Sequence, residues 1–270
     1  MRGPASCLAR TPYACRSIHG EYLKDLLLIL IQKELKIRYK SSWLGYLWSL
    51  AHPLAFALIY YVAFGIFMRV QIPDYPLFLI CGLFPWQWLA NSLYASPLVF
   101  LGNASLVKRV WFPRNVLVAA VVLNDGIHFV LSIPVISGFL LAYHLSPSWS
   151  WLIGIPLLVL AQFTLVYGVA LAIASLNLFF RDLERLTALL VTFLLFLTPV
   201  VYADSMIPAG YRALLHLNPV APLILSWRNL FLSGSLQPPV IALAWLYALL
   251  AVALGSLIYQ KLASRFAEVV

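Results

Sequence analysis

A chain of 270 residues that is 63% hydrophobic and only 10% charged, with a mean hydropathy of +0.92, has too little polar surface to cover a water-soluble globule, so lipid must supply the missing solvent. Its net charge of +9 does not mark a nucleic-acid binder, because the 18 basic residues fall in short clusters between long apolar runs instead of in one basic domain. Cys7, Cys15 and Cys81 are an odd number without CxxC spacing, which indicates neither a disulfide framework nor a zinc site.

Residues 1–21 read as a loose N-terminal tail. The first twenty lack an apolar core and carry Arg2, Arg10 and Arg16, so no cleavable signal peptide is expected. The segment 22–47 reads as an amphipathic helix. Lys33, Lys36 and Lys40 fall on one face at i, i+3 and i+7, while Leu23, Leu27, Leu30 and Ile31 favour the other. Two placements suit it equally: at the interface of an anionic cytoplasmic leaflet, or packed on its own protein.

Residues 48–270 form the expected transmembrane domain, all-α, because a bilayer-crossing helix needs roughly 20 apolar residues. Six such runs occur, approximately Trp48 to Met68, Leu77 to Leu101, Val116 to Tyr143, Trp151 to Phe179, Leu186 to Tyr202 and Val240 to Tyr259. Pro134 and Pro156 are places where the third and fourth could kink. With six spans, both termini and the second and fourth loops share one side. That side takes eight basic residues from the N-terminal segment, three from Lys108, Arg109 and Arg114, two from Arg181 and Arg185, and two from Lys261 and Arg265, or 15 of the 18. Cytoplasmic flanks retain positive charge, so both termini are expected in the cytoplasm and only Arg69, Arg212 and Arg228 outside.

Between the fifth and sixth runs, Asp204 to Pro239 is too apolar for an ordinary loop and too short for two more spans. Pro208, Pro219, Pro222, Pro238 and Pro239 cut it into pieces such as Ala209 to Leu217 and Leu223 to Leu232. A re-entrant hairpin on the outer face is the preferred reading, with flat interfacial helices as the alternative. No internal repeat supports an inverted-repeat transporter.

The sequence contains no GxxxxGK[ST], HExxH or GxSxG, so any ATP must be bound by another chain. Asp125 and His128, i and i+3 within the third run beside Asn124, suit either a proton relay or a pair that fixes helix packing, the second being preferred. Trp43, Trp48, Trp86, Trp88, Trp111, Trp149 and Trp151 lie near expected membrane boundaries, as interfacial anchors do. Phe56, Tyr60, Phe64 and Phe67 follow i, i+4, i+8 and i+11 inside the first run and make one stripe. It fits a lining on which sugar rings slide, or simple helix and lipid packing. In Asn103 to Asn115, three cations surround Trp111, Phe112 and Pro113, an apolar knob suited to docking in a partner's groove.

The stretch Arg38-Tyr-Lys-Ser-Ser-Trp-Leu-Gly-Tyr-Leu-Trp-Ser-Leu-Ala-His-Pro-Leu54, running into Phe64-Gly65, resembles the start of permease subunits of ABC exporters for polysaccharides, the family handling O-antigen, capsule and teichoic acid. Lys108-Arg-Val-Trp-Phe-Pro-Arg114 resembles that family's first cytoplasmic loop and Asn177-Leu-Phe-Phe-Arg-Asp182 its second. The resemblance runs from about residue 22 to the end. It implies a homodimeric pore in a bacterial inner membrane, short outer gate helices, and a separate nucleotide-binding ATPase that holds ATP and magnesium. It also implies an undecaprenyl-linked polysaccharide as cargo, and contact with the ATPase through Lys108, Arg109, Trp111, Phe112, Arg114, Arg181 and Asp182. The chain itself is then no enzyme and needs no metal or cofactor. The competing readings are a type-2 ABC exporter of a drug or lipid, and a polytopic membrane enzyme acting on a lipid-linked sugar. The enzyme would need paired carboxylates on the outer side, where Asp74 and Asp204 stand apart.

Overall fold

The computed structural model describes residues 24–36, 47–109 and 112–266, and every regular element among them is helical. Helix α1 covers 24–36. α2 (Leu47–Tyr60) runs on as a π-helical turn (Tyr61–Phe67), and α3 (Tyr75–Ala95) is followed by the short α4 (Val99–Gly102) and α5 (Ala104–Arg109). Two long helices come next, α6 (Asn115–Ala142) and α7 (Trp151–Asn177), then α8 (Leu183–Leu197), α9 (Arg212–Leu217), α10 (Ala221–Ser233) and α11 (Pro238–Leu262). The tail at 1–21, Leu23, Lys40, Trp43 and Trp111 lie outside the described residues.

Among the described residues, four helical stretches are long and apolar enough to cross a membrane: Leu50–Phe67, Asn115–Ala142, Trp151–Asn177 and Pro238–Arg265. Both α6 and α7 continue through Pro134 and Pro156. The remaining two expected runs are also helical, with differences. α8 ends at Leu197 because Pro199 forces the preceding Thr198 into extended backbone, φ −96° and ψ 138°. At ~1.5 Å per residue it is therefore shorter than the ~30 Å hydrocarbon core. α3 is the buried axis of the bundle, with 16 of its 21 residues buried against α2, α6, α7, α8 and α10.

α7 packs most extensively on α11. Gly168 and Gly255 make this possible: a Cβ on Gly168 would stand 2.4 Å from the Ala251 carbonyl carbon, and one on Gly255 2.1 Å from the Gly168 oxygen. Ala244 and Ala248, both buried, continue the narrow face of α11. In lipid, where apolar side chains gain nothing by leaving solvent, such close backbone approach is what holds helices together.

The bundle has two distinct ends. At one, Gly234 lies against Ser148, Trp151 donates to the Leu230 carbonyl at 2.9 Å, and Tyr75 donates to the Val201 carbonyl at 2.6 Å. At the other, Asn177 donates to the Pro97 carbonyl at 2.8 Å, Arg114 to the Ala263 carbonyl at 3.1 Å, and Lys33 of α1 to Asn103. α1 is thus packed on its own protein, with Leu30 buried, Leu27 and Ile31 against the core, and Leu28 and Ile29 exposed on its far side.

The anchor reading fails for three tryptophans. Trp86, Trp88 and Trp151 are buried, and Trp88 stacks on Phe129 at 5.5 Å while donating to the Val122 carbonyl at 2.9 Å. A ring with one polar atom fills an interhelical gap as readily as it sits at a lipid headgroup. Trp48 and Trp149 are exposed.

Candidate functional site

α2 stands apart from the bundle: 11% of its apolar stretch is buried, against 61% for α6. Phe56, Tyr60 and Phe64 form a row on it, with ring centroids 6.1 Å apart at each step, and His52 extends the row at 4.8 Å from Phe56. All three rings are half-buried, and Tyr60 and Phe64 lean on the core. Phe67 leaves the row and is 77% exposed. The 3.6-residue period places it in line only if α2 stays α-helical, whereas Met68 donates to the Ala63 carbonyl in the wider i→i+5 pattern, which rotates Phe67 away. Gly65 lets the π turn form against α3, since a Cβ there would meet the Tyr61 and Tyr75 rings at 3.0 and 3.2 Å.

The basic end carries most of the residues assigned to coupling. Lys108 and the backbone of Arg109 belong to α5, and Lys108, Arg181 and Asp182 are exposed. Phe112 is half-buried against the core, and Arg114 lies over the Phe266 ring, 6.0 Å from its centroid, besides holding Ala263. Arg114 therefore braces its own loop against the end of α11. Counting described residues only, Lys33, Lys36, Lys108, Arg109, Arg114, Arg181, Arg185, Lys261 and Arg265 lie at this end, and Arg69, Arg212 and Arg228 at the other.

Asp125 and His128 are buried, and Ser92 of α3 donates to Asp125 at 2.9 Å. That bond ties α6 to α3, beside Gly126, where a Cβ would come within 2.7 Å of the Trp88 ring. A cavity of ≈ 470 Å³ opens next to it between α1, α4 and α6, with Lys33, Asn103, Asn124 and Asp125 in its wall. Among the described residues no group of three or more His, Cys, Asp or Glu side chains could hold a metal ion.

Gln162, which the sequence reading passed over, and Arg228, which it only counted among the outer charges, are both bonded inside the bundle, although Arg228 Nε is left without a hydrogen-bond partner. Gln162 of α7 donates to the Pro85 carbonyl at 2.7 Å and accepts from Trp227 at 2.6 Å, joining α3, α7 and α10. Arg228 of α10, 5% exposed, donates to the Pro199 and Val200 carbonyls at 2.7 and 2.8 Å, and its guanidinium lies 3.6 Å from the centroid of Phe78. The available signal was an arginine in an apolar segment, which demands a built partner. Beyond it, the segment 202–217 encloses an apolar cavity of ≈ 740 Å³ against α8, walled by Leu194, Leu197, Tyr202, Tyr211 and Leu214.

Long apolar helices, intramembrane polar residues satisfied by neighbouring helices, and basic residues gathered at one end define a multi-pass membrane protein. The chain belongs to the ABC-2 type transporter family, whose model matches residues 25–232. It is 47% identical over 248 residues to the O-antigen export system permease protein RfbA of Klebsiella pneumoniae, covering 92% of this chain and 96% of that protein. Its identity to the protein of the same name in Myxococcus xanthus is 34%, over 91% of this chain and 95% of that one. It is also 25% identical to the polysialic acid transport protein KpsM of Escherichia coli, over 78% of this chain and 83% of the relative. Membership of this family makes the chain a transporter component and not an enzyme.

Proposed function

We propose that this chain is the transmembrane subunit of an ATP-driven exporter that moves a lipid-linked polysaccharide, of the O-antigen class, across the bacterial inner membrane. The observation that carries the reading is the 47% identity, over nearly the full length of both chains, to a permease named for O-antigen export; the polysialic acid relative is more distant at 25%. A drug or lipid exporter of the same family is the alternative, and no residue described above favours it.

In this reading the permease is a homodimer with six spans per copy, α2, α3, α6, α7, α8 and α11, and Asp204 to Pro239 forms a re-entrant hairpin on the outer face. ATP and magnesium bind a separate ATPase subunit. It docks on the basic end through Lys108, Arg109, Trp111, Phe112, Arg114, Arg181 and Asp182, with Arg114 passing force to α11 through Ala263 and Phe266. Phe56, Tyr60 and Phe64 line the passage for an undecaprenyl-linked chain, and Phe67, turned off the row, stands outside it. Cells depleted of this protein should complete the polysaccharide, hold it inside and show none at the surface. Surface polysaccharide at the parental level would sink the export reading.

The charge asymmetry supports a reading in which the basic end and both termini face the cytoplasm. Ser146 and Ser235, exposed in the neighbouring loops before α7 and α11, then face outward. Single cysteines at these positions, in a background without the native three, should react with an impermeant maleimide added from outside. Reaction only from the cytoplasmic side would invert the orientation.

A further inference from the structure

At the end of α8 the backbone leaves helical geometry, and the carbonyls of Pro199, Val200 and Val201 have no following helical turn to accept. Each takes a hydrogen bond from a side chain on another helix: Arg228 Nη1 donates to Pro199 at 2.7 Å, Arg228 Nη2 to Val200 at 2.8 Å, and Tyr75 Oη to Val201 at 2.6 Å. The far end of the segment is tied to the same place, because Asn218 donates to the Thr198 hydroxyl at 2.9 Å and accepts from the Val220 amide at 2.9 Å. Among the described residues no carboxylate pairs with Arg228. Its guanidinium is held by two carbonyl dipoles and the face of Phe78, contacts that gain strength where water is excluded, with the Asp204 carboxylate acting on it through space and its Nε left without a hydrogen-bond partner. Gly82 supplies the space, since a Cβ there would stand 2.7 Å from Nη2 and 3.3 Å from the Val200 oxygen.

The chain between the two ties is different. No described residue from 202 to 217 is buried, and Arg212 bonds only within the segment, to the Ile207 and Ser205 carbonyls at 3.1 and 3.3 Å. Tyr202, at its start, still donates to the Phe196 carbonyl of α8 at 3.0 Å, and beyond it an apolar cavity separates the stretch from α8. The segment is therefore a loosely held flap on a tightly held root.

We propose that Arg228, Tyr75 and Gly82 form a clasp that positions the root of the outer flap, so that the flap moves during export while 198–201 stays fixed. They are positioning residues: they touch neither cargo nor nucleotide, and they act by giving the flap a rigid base against which force from the other end of the bundle is applied. The idea rests on the export reading above, but its test does not depend on the identity of the cargo.

Val201 is 1% exposed, so a cysteine there reports whether the root is closed. Right-side-out vesicles would carry the complete exporter, with Val201→Cys in a chain also bearing Cys7→Ser, Cys15→Ser and Cys81→Ala. Labelling by an impermeant maleimide should be slow both at rest and during ATP hydrolysis. Arg228→Lys keeps the charge and loses the two-carbonyl fork, and Gly82→Ala crowds the guanidinium. Each should raise labelling about tenfold and lower export about tenfold, the scale of losing one charge-assisted hydrogen bond, with ATP hydrolysis within about twofold of the parent. Tyr75→Phe removes one hydroxyl and should move both readings the same way by less. Parental labelling in Tyr75→Phe and Gly82→Ala would refute the clasp. So would export and hydrolysis falling together in proportion to protein level, or failure of all three variants to accumulate, since either result reduces these residues to folding. Altered labelling in a protein whose parent exports no polysaccharide would instead refute the export reading and leave the clasp standing.

Discussion

Replacing Gly255 with leucine should remove most of the protein from the membrane fraction, and even alanine should lower its thermal midpoint in detergent sharply. The Cβ that either residue introduces stands 2.1 Å from the Gly168 oxygen, and the Gly168 Cβ position is 2.4 Å from two backbone atoms of 251 and 252. No flexible side chain is present to yield, so α7 and α11 must separate along the most extensive pairing in the bundle. Overpacking a core usually costs about 1–3 kcal/mol, and a clash with backbone belongs at the upper end or beyond. Gly138, on α6, is the internal control. A Cβ there meets nothing within 4 Å, so Gly138→Ala should be neutral or stabilise by up to about 1 kcal/mol through helix propensity. Measured by membrane level and thermal midpoint, equal tolerance of alanine at 255 and 138 would contradict the packing described.

Changing Tyr60 and Phe64 together to alanine should reduce polysaccharide export on the order of tenfold, with protein level and ATPase assembly preserved. Two aromatic contacts at roughly 1 kcal/mol each supply that range. Both residues also lean on the core, so the alanine pair alone does not separate a passage from packing. Tyr60→Leu with Phe64→Leu does, because leucine keeps apolar bulk and removes the flat ring face. Export at parental level in the leucine pair would assign the row to packing. A loss matching the alanine pair would assign it to ring stacking on cargo. Phe67→Ala, off the row, should change little.

Much of the architecture was legible in the sequence because long apolar runs are unambiguous in this class. The third and fourth runs agree with α6 and α7 to within two residues at every boundary. Charge bias was equally direct, since it depends on which end of each helix a residue flanks and not on packing. What could not be read is which helix touches which. In a lipid-embedded bundle, buried and lipid-facing positions are both apolar, so α3, the most enclosed helix, looks like its neighbours by composition. The same blindness made Trp86 and Trp88 resemble anchors and left Gln162 and Arg228 without partners. Register failed where winding changed. The spacing of Phe56, Tyr60 and Phe64 survives in the structure, while Phe67 departs because a π turn, opened at Gly65 against Tyr61 and Tyr75, is not announced by hydrophobic period. The break after α8 was the reverse case: Pro199 after Thr198 marks it, but an apolar run that continues to Tyr202 conceals it.

The contact between Gly168 and Gly255 also divides the molecule mechanically. Two backbones in touch cannot slide or rock past one another without losing the fit, so α7 and α11 behave as a single beam, stiffened further where Gln162 of α7 bridges to α3 and α10. α2 has no comparable attachment, and α8 shows an exposed apolar ridge of Leu186, Leu189, Leu190, Phe193 and Leu197. Where the bundle rearranges, the beam must move as one body, whereas α2, with only 11% of its apolar stretch buried, has the least packing to lose.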